Sequence, residues 1–389
     1  MVTNTYTLNS IIKNVVDNRG PRRAYYYQLE KYPVIDTVMI NNEIHPALST
    51  ATRYLSESQY HSFLRGHIHA GDLLIALVGN GIGNVTLAPH SKCAIVQNAI
   101  GITFDEKMCN QLYMYYYFKS IQQEMKNLDR GVSQPSINRE DLFRIRVALP
   151  SVDIQTKIGE RIYWYDSLIE VNNDRIKTLE KIAANLYKEW FVRFRFPGYE
   201  TTSFESGIPK GWKITRTKNV CQITTGKKDV NQTDPNGSYP FFSCDRENLL
   251  FSNDAFLDKE AVIISGNGTF AGYTKCYRGK FDIYQRTYAL YDFEQVSWQY
   301  MYWSYKLGFE KEQINRSHGS AIPYITKPII EKYKIIIPNQ ETLAAASQVF
   351  NRIYDLCEVL NQENRKLTIQ RDLLLPRLMS GKLEICTEA

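Results

Sequence analysis

The sequence has few of the features that mark secreted, zinc-binding or membrane proteins. Its seven cysteines are scattered, their number is odd, and no Cys-x-x-Cys pair occurs. This pattern is typical of reduced thiols and argues against a disulfide framework or a zinc ribbon. No apolar run reaches the roughly 18 residues that a membrane-spanning helix needs, and Met1–Asn4 do not open a signal peptide. We therefore expect a cytoplasmic protein without a membrane segment.

Size and composition indicate a folded protein with more than one domain. The chain has 389 residues, of which 43% are hydrophobic and 13% aromatic, so it is too apolar to be disordered. At about 150 residues per domain it allows two or three domains. The net charge of +6 permits nucleic-acid binding, although an ordinary soluble protein can carry the same surplus.

The chain contains an internal duplication. Gly131–Ile137 and Gly319–Ile325 show a similar pattern, and Pro150 and Pro338 are separated by the same length of chain as Gly131 and Gly319. This separation is far longer than the period of a solenoid repeat, which is about 20–50 residues. The sequence therefore predicts a duplicated domain with pseudo-twofold symmetry.

Two further matches support the duplication. A Gly-Asn-Gly motif follows an apolar run at Gly79–Gly81 and again at Gly266–Gly268, at nearly the same separation. Tyr32-Pro33 and Tyr239-Pro240 form a looser match. Each repeat is predicted to be a mixed α/β head, since its periodicity indicates strands near 73–78, 93–96, 143–150, 261–265, 289–291 and 333–338, and helices near 108–127 and 297–314.

A long helix is predicted after each head. Residues 151–194 contain no proline and a single glycine, Gly159, and their apolar residues recur at alternating spacings of four and three, which is a heptad seam. The seam recurs after Pro338 at the separation of the duplication, with Asn172, Asn364 and Arg371 as its polar members. Equivalent seams predict an antiparallel coiled coil with Asn172 opposite Asn364; the alternative is that each helix packs on its own head. Pro376 is expected to end or kink the second helix near Leu375.

The predicted fold is therefore α+β, with two similar mixed α/β recognition heads joined by two long antiparallel coiled-coil helices in a pseudo-twofold arrangement. The predicted boundaries are 1–150 for the first head, 151–196 for the central helix, 197–338 for a linker and the second head, and 339–389 for the C-terminal helix and tail.

Three segments resemble conserved parts of the specificity subunit of Type I restriction–modification systems. Leu186–Phe194 resembles the end of that family's central helix, Ile208–Trp212 the opening of its second target-recognition domain, and Leu373–Leu383 its C-terminal tail. The first head departs from the pattern, because it begins at Thr7–Ile12 without a Pro-x-Gly-Trp opening, which leaves its first strand uncertain.

The resemblance implies two heads that read double-stranded DNA and helices that dock two methyltransferase subunits; whether restriction subunits also join is left open. Partner contacts are expected at apolar residues near the helix ends, with packing on the protein's own heads as the alternative: Trp190, Phe191, Phe194, Leu374 and Leu378.

DNA contacts are expected from basic and amide side chains beside predicted turns, because arginine can bind guanine, amides can bind adenine, and lysine mostly holds phosphate. In the first head these residues are Arg19, Arg22, Arg23, Asn80, Gln97, Asn98, Arg130 and Gln134. In the second head they are Lys227, Lys228, Asn267, Gln285, Arg286, Arg316, Ser320 and Tyr324. Arg286 is expected in a strand, and each residue could instead lie in an ordinary solvated loop.

No catalytic, cofactor or metal site is expected. The Gly79–Gly83 motif is followed by a strand-like segment instead of the helix that a nucleotide loop needs, and His61, His67 and His69 have no partners that complete a metal-ligand set. The chain also lacks any Pro-Pro dipeptide, which occurs in the catalytic motif of DNA adenine methyltransferases. The alternatives are a self-contained methyltransferase or nuclease, or a structural coiled-coil adaptor.

Overall fold

The structure, a computed structural model, describes residues 3–18, 31–95, 97–131, 134–246, 250–316 and 323–383. The chain divides into two compact units, one formed by Met1–Asn172 with Gln362–Ala389 and the other by Asn173–Asn361. Each unit holds one head and a part of each of two long helices. No helix in the described ranges is long and apolar enough to cross a membrane.

The first head is built from short strands and helices that precede a long helix. In chain order these elements are β1 (Asn4–Thr7), β2 (Ile12–Val16), β3 (Tyr32–Ile35), β4 (Tyr54–Leu55), α1 (Glu57–Ser62), β5 (Leu73–Ala76), β6 (Val85–Leu87), β7 (Ala94–Ile95), β8 (Ala99–Phe104), α2 (Gln111–Ser120), α3 (Gln122–Lys126), α4 (Arg139–Phe143) and β9 (Arg146–Leu149). The long helix α5 (Val152–Tyr187) follows and continues into a π-helical turn at Lys188–Val192.

The second head repeats this order and precedes the second long helix. Its elements are β10 (Phe204–Glu205), β11 (Ile208–Pro209), β12 (Lys213–Arg216), β13 (Gln222–Thr225), β14 (Tyr239–Phe242), β15 (Leu250–Ser252), β16 (Leu257–Ser265), β17 (Thr274–Ile283), β18 (Thr287–Tyr291), α6 (Trp298–Ser304), α7 (Glu310–Arg316), α8 (Lys327–Lys332) and β19 (Lys334–Ile337). A π-helical turn at Tyr305–Phe309 joins α6 to α7, and the last helix is α9 (Gln340–Met379).

The strand β5 lies inside the first head. The main sheet has the order β2-β8-β5-β6, and a second sheet has the order β4-β3-β7. Because side chains alternate along a strand, Leu73 and Ile75 enter one hydrophobic core while Leu74 and Ala76 enter another. This is why the run is apolar without interruption.

The second head has a single larger sheet with the order β13-β18-β16-β17-β14-β15. β16 pairs antiparallel with β17 and β18, whereas β14 pairs parallel with β17. The apolar half of β16, Ala261–Ser265, is buried, while its beginning at Asp258–Glu260 is exposed.

Each long helix packs on a head as well as carrying a seam. Ile158 and Ile162 of α5 lie in the main core of the first head, and Leu375 and Leu378 of α9 join the same core. In the second unit the corresponding core includes the following residues of the two helices: Ala183, Tyr187, Ala346, Phe350 and Ile353. Both packing arrangements considered from the sequence therefore occur together.

The strand pairings confirm the duplication. β1 pairs antiparallel with β9 as β12 pairs with β19, so the first head has its opening strand although it lacks the Pro-x-Gly-Trp sequence. Tyr32-Pro33 and Tyr239-Pro240 begin equivalent strands, because β3 and β14 each have one antiparallel and one parallel neighbour. The looser sequence match is thus a structural one.

The Gly-Asn-Gly match is out of register. The amide of Gly79 donates to the carbonyl of Pro135, and the equivalent bond joins Gly268 to Pro323. Gly79 and Gly268 also share a left-handed backbone, with φ of 98° and 80°. The structural counterpart of Gly79 is therefore Gly268 and not Gly266, and Asn80 and Asn267 are not equivalent.

The two long helices run antiparallel where both contribute to the first unit. The side chain of Asn172 donates to the Oδ1 atom of Asn364 at 3.0 Å, which confirms the predicted register. Arg371 forms an ion pair with Asp166, which precedes Asn172 on α5. Asn172 is buried and Asn364 half-buried, and a pair of asparagines in such a seam fixes the register of a coiled coil at some cost in stability.

Pro376 does not end α9, which continues to Met379. A proline removes one backbone hydrogen bond, but here the helix continues only from Arg377 to Met379 beyond it. The neighbouring Leu375 and Leu378 are buried in the core of the first unit, and this packing holds the last turn in place. The expected helix end near Leu375 is therefore wrong, whereas the alternative of a kink there stays a prediction.

The strands and helices predicted for the two heads are present with different bounds. The helix predicted over 108–127 is divided at Ile121 into α2 and α3. The strand predicted over 143–150 begins only at Arg146, because the side chain of Asn138 accepts from the amide of Glu140 and caps the short helix α4.

Candidate nucleic-acid interface

Three loops of the first head converge beside the end of β5. The amide of Leu77 donates to the carbonyl of Asn98 at 2.7 Å, and the amide of Ile137 donates to the carbonyl of Leu77 at 2.8 Å. The bond from Gly79 to Pro135 at 2.9 Å completes the set. These bonds bring together four candidate residues that the sequence places far apart: Asn80, Gln97, Asn98 and Gln134.

All four side chains are exposed. Gln97 and Asn98 have positive φ angles of 29° and 64°, a conformation that asparagine tolerates better than most residues. The arrangement places amide groups on the surface, where they could bind the edge of an adenine.

Gly131 allows the third loop to close. A Cβ atom on this residue would lie 1.8 Å from the carbonyl oxygen of Gln134, so no other residue fits. Asp129 accepts hydrogen bonds from the amides of Ser136 and Gly131, at 2.7 and 2.8 Å, and these bonds lower the pKa of its carboxyl group. Both ends of the loop are thereby tied to one side chain.

Arg130 is held by the protein itself. Its guanidinium donates to Asp141 at 3.0 Å, and 70% of the Arg130 side chain is exposed. Binding to guanine would require this ion pair to break, which costs little at an exposed position, so base reading by Arg130 stays a prediction.

The second head repeats the loop arrangement. The amide of Gly266 donates to the carbonyl of Arg286 at 3.0 Å, Ile325 donates to Gly266 at 2.7 Å, and Gly268 donates to Pro323 at 3.0 Å. These are the counterparts of the three bonds in the first head. They bring together the candidate residues Asn267, Arg286 and Tyr324.

Arg286 lies in a turn and not in a strand. The amide of Thr287 donates to the carbonyl of Tyr284 at 2.8 Å, which closes a tight turn between β17 and β18. Gly266 approaches this turn so closely that a Cβ atom on it would lie 2.1 Å from the carbonyl oxygen of Arg286. The Arg286 side chain is exposed at the turn, which suits contact with a base better than a strand position would.

Lys227 and Lys228 have different environments. Lys228 binds Asp282 at 2.9 Å and the hydroxyl of Ser252 at 2.8 Å, and the hydrogen bond to Asp282 raises the pKa of the lysine. Because the side chain of Asp282 is only 3% exposed, Lys228 is needed to neutralise a buried carboxylate. Lys227 is exposed, with its ammonium 5.6 Å from the centre of the Phe256 ring, and remains the better candidate for phosphate.

Gln285 is also engaged within the head. Its side-chain amide donates to Asp229 at 2.8 Å. Arg19, Arg22, Arg23 and Ser320 lie outside the described residues, as does the side chain of Arg316, whose backbone ends α7.

Arg246 was not identified from the sequence. It lies in the loop after β14, where the thiol of Cys244 donates to the carbonyl of Arg286 at 3.4 Å. The exposed guanidinium of Arg246 lies 5.2 Å from the centre of the Tyr273 ring. The available signal was the position of Arg246 shortly after the repeated Tyr-Pro strand, since the strand pairings place the end of β14 beside these loops.

Two of the predicted partner-binding residues are almost completely buried. Phe191 is 3% exposed, and its ring packs against Tyr300 and Trp212 of the second head. Leu378 is 2% exposed in the core of the first unit. Trp190, Phe194 and Leu374 are half-buried. The apolar end of α5 therefore packs on the second head, and the apolar end of α9 packs on the first.

His61 and His67 lie in an aromatic cluster with Tyr60. His67 packs on Tyr60 with ring centres 4.6 Å apart, and burial lowers the pKa of His67. His61 contacts Glu57 at 3.2 Å. Within the ranges that the structure describes, no group of three or more His, Cys, Asp or Glu residues could hold a metal ion.

Comparison with known proteins identifies the family. The model for the Type I restriction modification DNA specificity domain matches residues 4–181 and again residues 209–369. The chain belongs to this family. It is a non-catalytic specificity subunit, and this family recognises DNA sequence in restriction–modification systems.

Individual relatives agree with this assignment. The MjaVIII specificity subunit of Methanocaldococcus jannaschii is 23% identical over 381 residues, covering 90% of this chain and 89% of the relative. The EcoDI specificity subunit of Escherichia coli is 36% identical over 140 residues, but these span only 36% of this chain and 30% of the relative. The crystal structure of an S subunit from M. genitalium has the same fold, with a TM-score of 0.62 at 14% identity over 97% of this chain and 96% of that one.

Proposed function

We propose that each head of this specificity subunit reads one half of a bipartite and asymmetric DNA target. The observation that carries the proposal is the set of three backbone hydrogen bonds that recurs in both heads and holds the same three loops together. Equivalent frames with different side chains suit two half-sites of different sequence.

The exposed groups indicate how each half-site is read. The first head presents amides at Asn80, Gln97, Asn98 and Gln134, which suit adenine. The second presents the guanidinium of Arg286, which suits guanine, beside Asn267, Tyr324 and Arg246. Lys227 is placed to hold phosphate, which positions the head without selecting sequence.

Modularity tests the proposal. Residues 1–150 are replaced by the first head of another specificity subunit whose target is known, and methylated adenines are mapped in cells that also express the partner subunits. We expect one half of the target to change and the other to stay. Changes in both halves, or in neither, would contradict independent heads.

We further propose that the two long helices dock two copies of the same methyltransferase subunit. Leu168 and Val171 on α5 are 47% and 46% exposed, and Leu356 and Val359 on α9 are 52% and 61% exposed. The two pairs are separated by the same length of chain as Pro150 and Pro338, so each unit presents the same apolar pair at the equivalent helical position. Trp164, which is 65% exposed, extends the pair in the first unit.

Docking of an enzyme beside each head gives the chemistry that this chain lacks. A base must leave the helical stack before it can be methylated, so the partner is expected to flip an adenine close to the half-site that the head has bound. We expect the partner to contact these exposed apolar pairs and not Phe191 and Leu378, which are buried.

The docking surface is tested by Leu168→Asp and Leu356→Asp, singly and together, with Ile214→Asp on the exposed strand β12 as the matched control. Light scattering on the purified complex measures how many methyltransferase subunits bind. We expect two for the parent and the control, one for each single variant and none for the double variant. Two bound subunits in the double variant would contradict this docking surface.

A further inference from the structure

Val38 is the most exposed large apolar side chain of the protein's described residues and the only exposed one in the described part of the first head. Its side chain is 81% exposed. A single exposed apolar residue needs no explanation by itself, so the argument depends on how Val38 is held and what lies beside it.

The turn that carries Val38 is firmly anchored. It is a 3-10 turn at Thr37–Met39, and its preceding residue Asp36 forms an ion pair with Arg53. The amide of Met39 donates to the carbonyl of Asp36 at 2.9 Å. Met39 and Ile40 are 7% and 0% exposed and belong to a hydrophobic core. Val38 therefore projects from a rigid support.

The same turn lies against the glycine turn of the candidate interface, which is formed by residues 79–83. The segment after Val38 is bound to it through Asn42, whose side chain accepts from the amide of Val85 at 2.9 Å. The carbonyl oxygen of Thr37 would lie 3.8 Å from a Cβ atom on Gly81. Because Gly81 follows Asn80 directly, Val38 belongs to the surface that presents the amide groups.

We propose that Val38 contacts the C5-methyl group of a thymine in the first half-site. Thymine is the base that carries a methyl group in the major groove, and apolar side chains recognise it by contact. A β-branched side chain loses little conformational freedom on binding, since its χ1 angle is already restricted. This inference rests on the proposed function and adds a base identity to it.

The second head has a different group at this place. The strand pairings align Ile35 with Phe242, because Ile35 pairs with Ile95 and Phe242 pairs with Ile283 in equivalent parallel strands. Three positions later the first head has Val38 and the second has Asp245, which is followed by the exposed Arg246. A methyl contact is thus a property of the first half-site alone.

Deoxyuridine provides the test, since it pairs as thymine does but lacks the methyl group. The full-length chain in complex with its methyltransferase subunits is titrated with cognate duplexes in which each thymine of the first half-site, on either strand, is replaced in turn. We expect one position at which the replacement weakens binding about fourfold, the effect of burying one methyl group at roughly 0.8 kcal/mol.

Two variants complete the test. Val38→Ala should bind thymine and deoxyuridine duplexes equally at that position, while Ile214→Ala, which removes an exposed side chain from β12, should keep the fourfold preference. Thermal unfolding of Val38→Ala is expected to match the parent, because the side chain is exposed.

The outcomes separate the two proposals. If the parent binds its target specifically but no single replacement matters, or if Val38→Ala keeps the preference, the thymine contact is refuted and the reading heads stand. If the parent shows no preference for any DNA sequence, the proposed function itself fails.

Discussion

The ion pair between Arg371 and Asp166 offers a direct test of how the helices of the first unit are held together. The two side chains are 15% and 11% exposed. Asp166 also accepts from the hydroxyl of Tyr116 at 2.8 Å and lies 3.9 Å from the ammonium of Lys119. Burial lowers the pKa of Lys119, so this lysine is a poor substitute for the guanidinium.

We expect Arg371→Met to destabilise the first unit strongly. Removing one member of a buried pair typically costs about 3–5 kcal/mol because the other charge stays buried. The residual contacts of Asp166 to Tyr116 and Lys119 favour the lower end of that range, about 3 kcal/mol. For a unit of this size that corresponds to a fall in Tm of roughly 6–12 °C.

Scanning calorimetry of the full-length chain measures this change. Arg377→Met is the matched control, because Arg377 lies on the same helix and is exposed; its Tm should change by less than about 1 °C. Adding Asp166→Leu to Arg371→Met removes the unpaired carboxylate but takes a partner from Tyr116 and Lys119, so it should recover only part of the loss. If Arg371→Met melts at the parent temperature, the pair does not stabilise the helices and the reasoning fails.

Three further predictions concern DNA. Lys227→Ala should weaken binding to all duplexes and flatten the log–log salt dependence by about 0.9 without changing Tm, whereas Lys228→Ala should lower Tm; equal Tm values for the two variants would contradict the distinction. Arg286→Ala should cost about 1–3 kcal/mol on the cognate duplex only, and an equal loss on unrelated duplexes would make Arg286 a phosphate contact. Inserting one heptad after Asn172 and before Asn364 adds about 10.5 Å of helix, so the spacer of the methylated target should grow by about three base pairs; an unchanged spacer would show that the helices do not set it.

Periodic features of the sequence predicted the fold well because they report burial. The heptad seam located both long helices, and counting along it placed Asn172 opposite Asn364, as the structure has them. The apolar run at β5 identified a buried strand. Such patterns survive because shifting a helix or strand by one residue would expose its core face.

The candidate site was harder to predict because ion pairs depend on the fold. Arg130 and Lys228 are of the residue types that bind DNA, but they form ion pairs with Asp141 and Asp282. The partner of Lys228 lies on a strand far along the chain. Arg246 shows the opposite case, since only the fold brings its loop beside Arg286. Residue type alone cannot distinguish a basic group that neutralises a buried carboxylate from one that is exposed.

The two Gly-Asn-Gly motifs lie in equivalent turns, but their residues are not equivalent one by one. The two Gly-Asn-Gly strings match by letter, but the backbone bridges pair Val78 with Ser136 and Asn267 with Tyr324. Val78 is therefore the counterpart of Asn267, and Asn80 is the counterpart of Thr269. The shared part of this turn is its hydrogen bonding and its glycines of positive φ, while the side chains it presents differ between the heads. A protein that reads the same sequence twice would need equal groups at equal positions, so this difference in register supports an asymmetric target more directly than overall sequence divergence does.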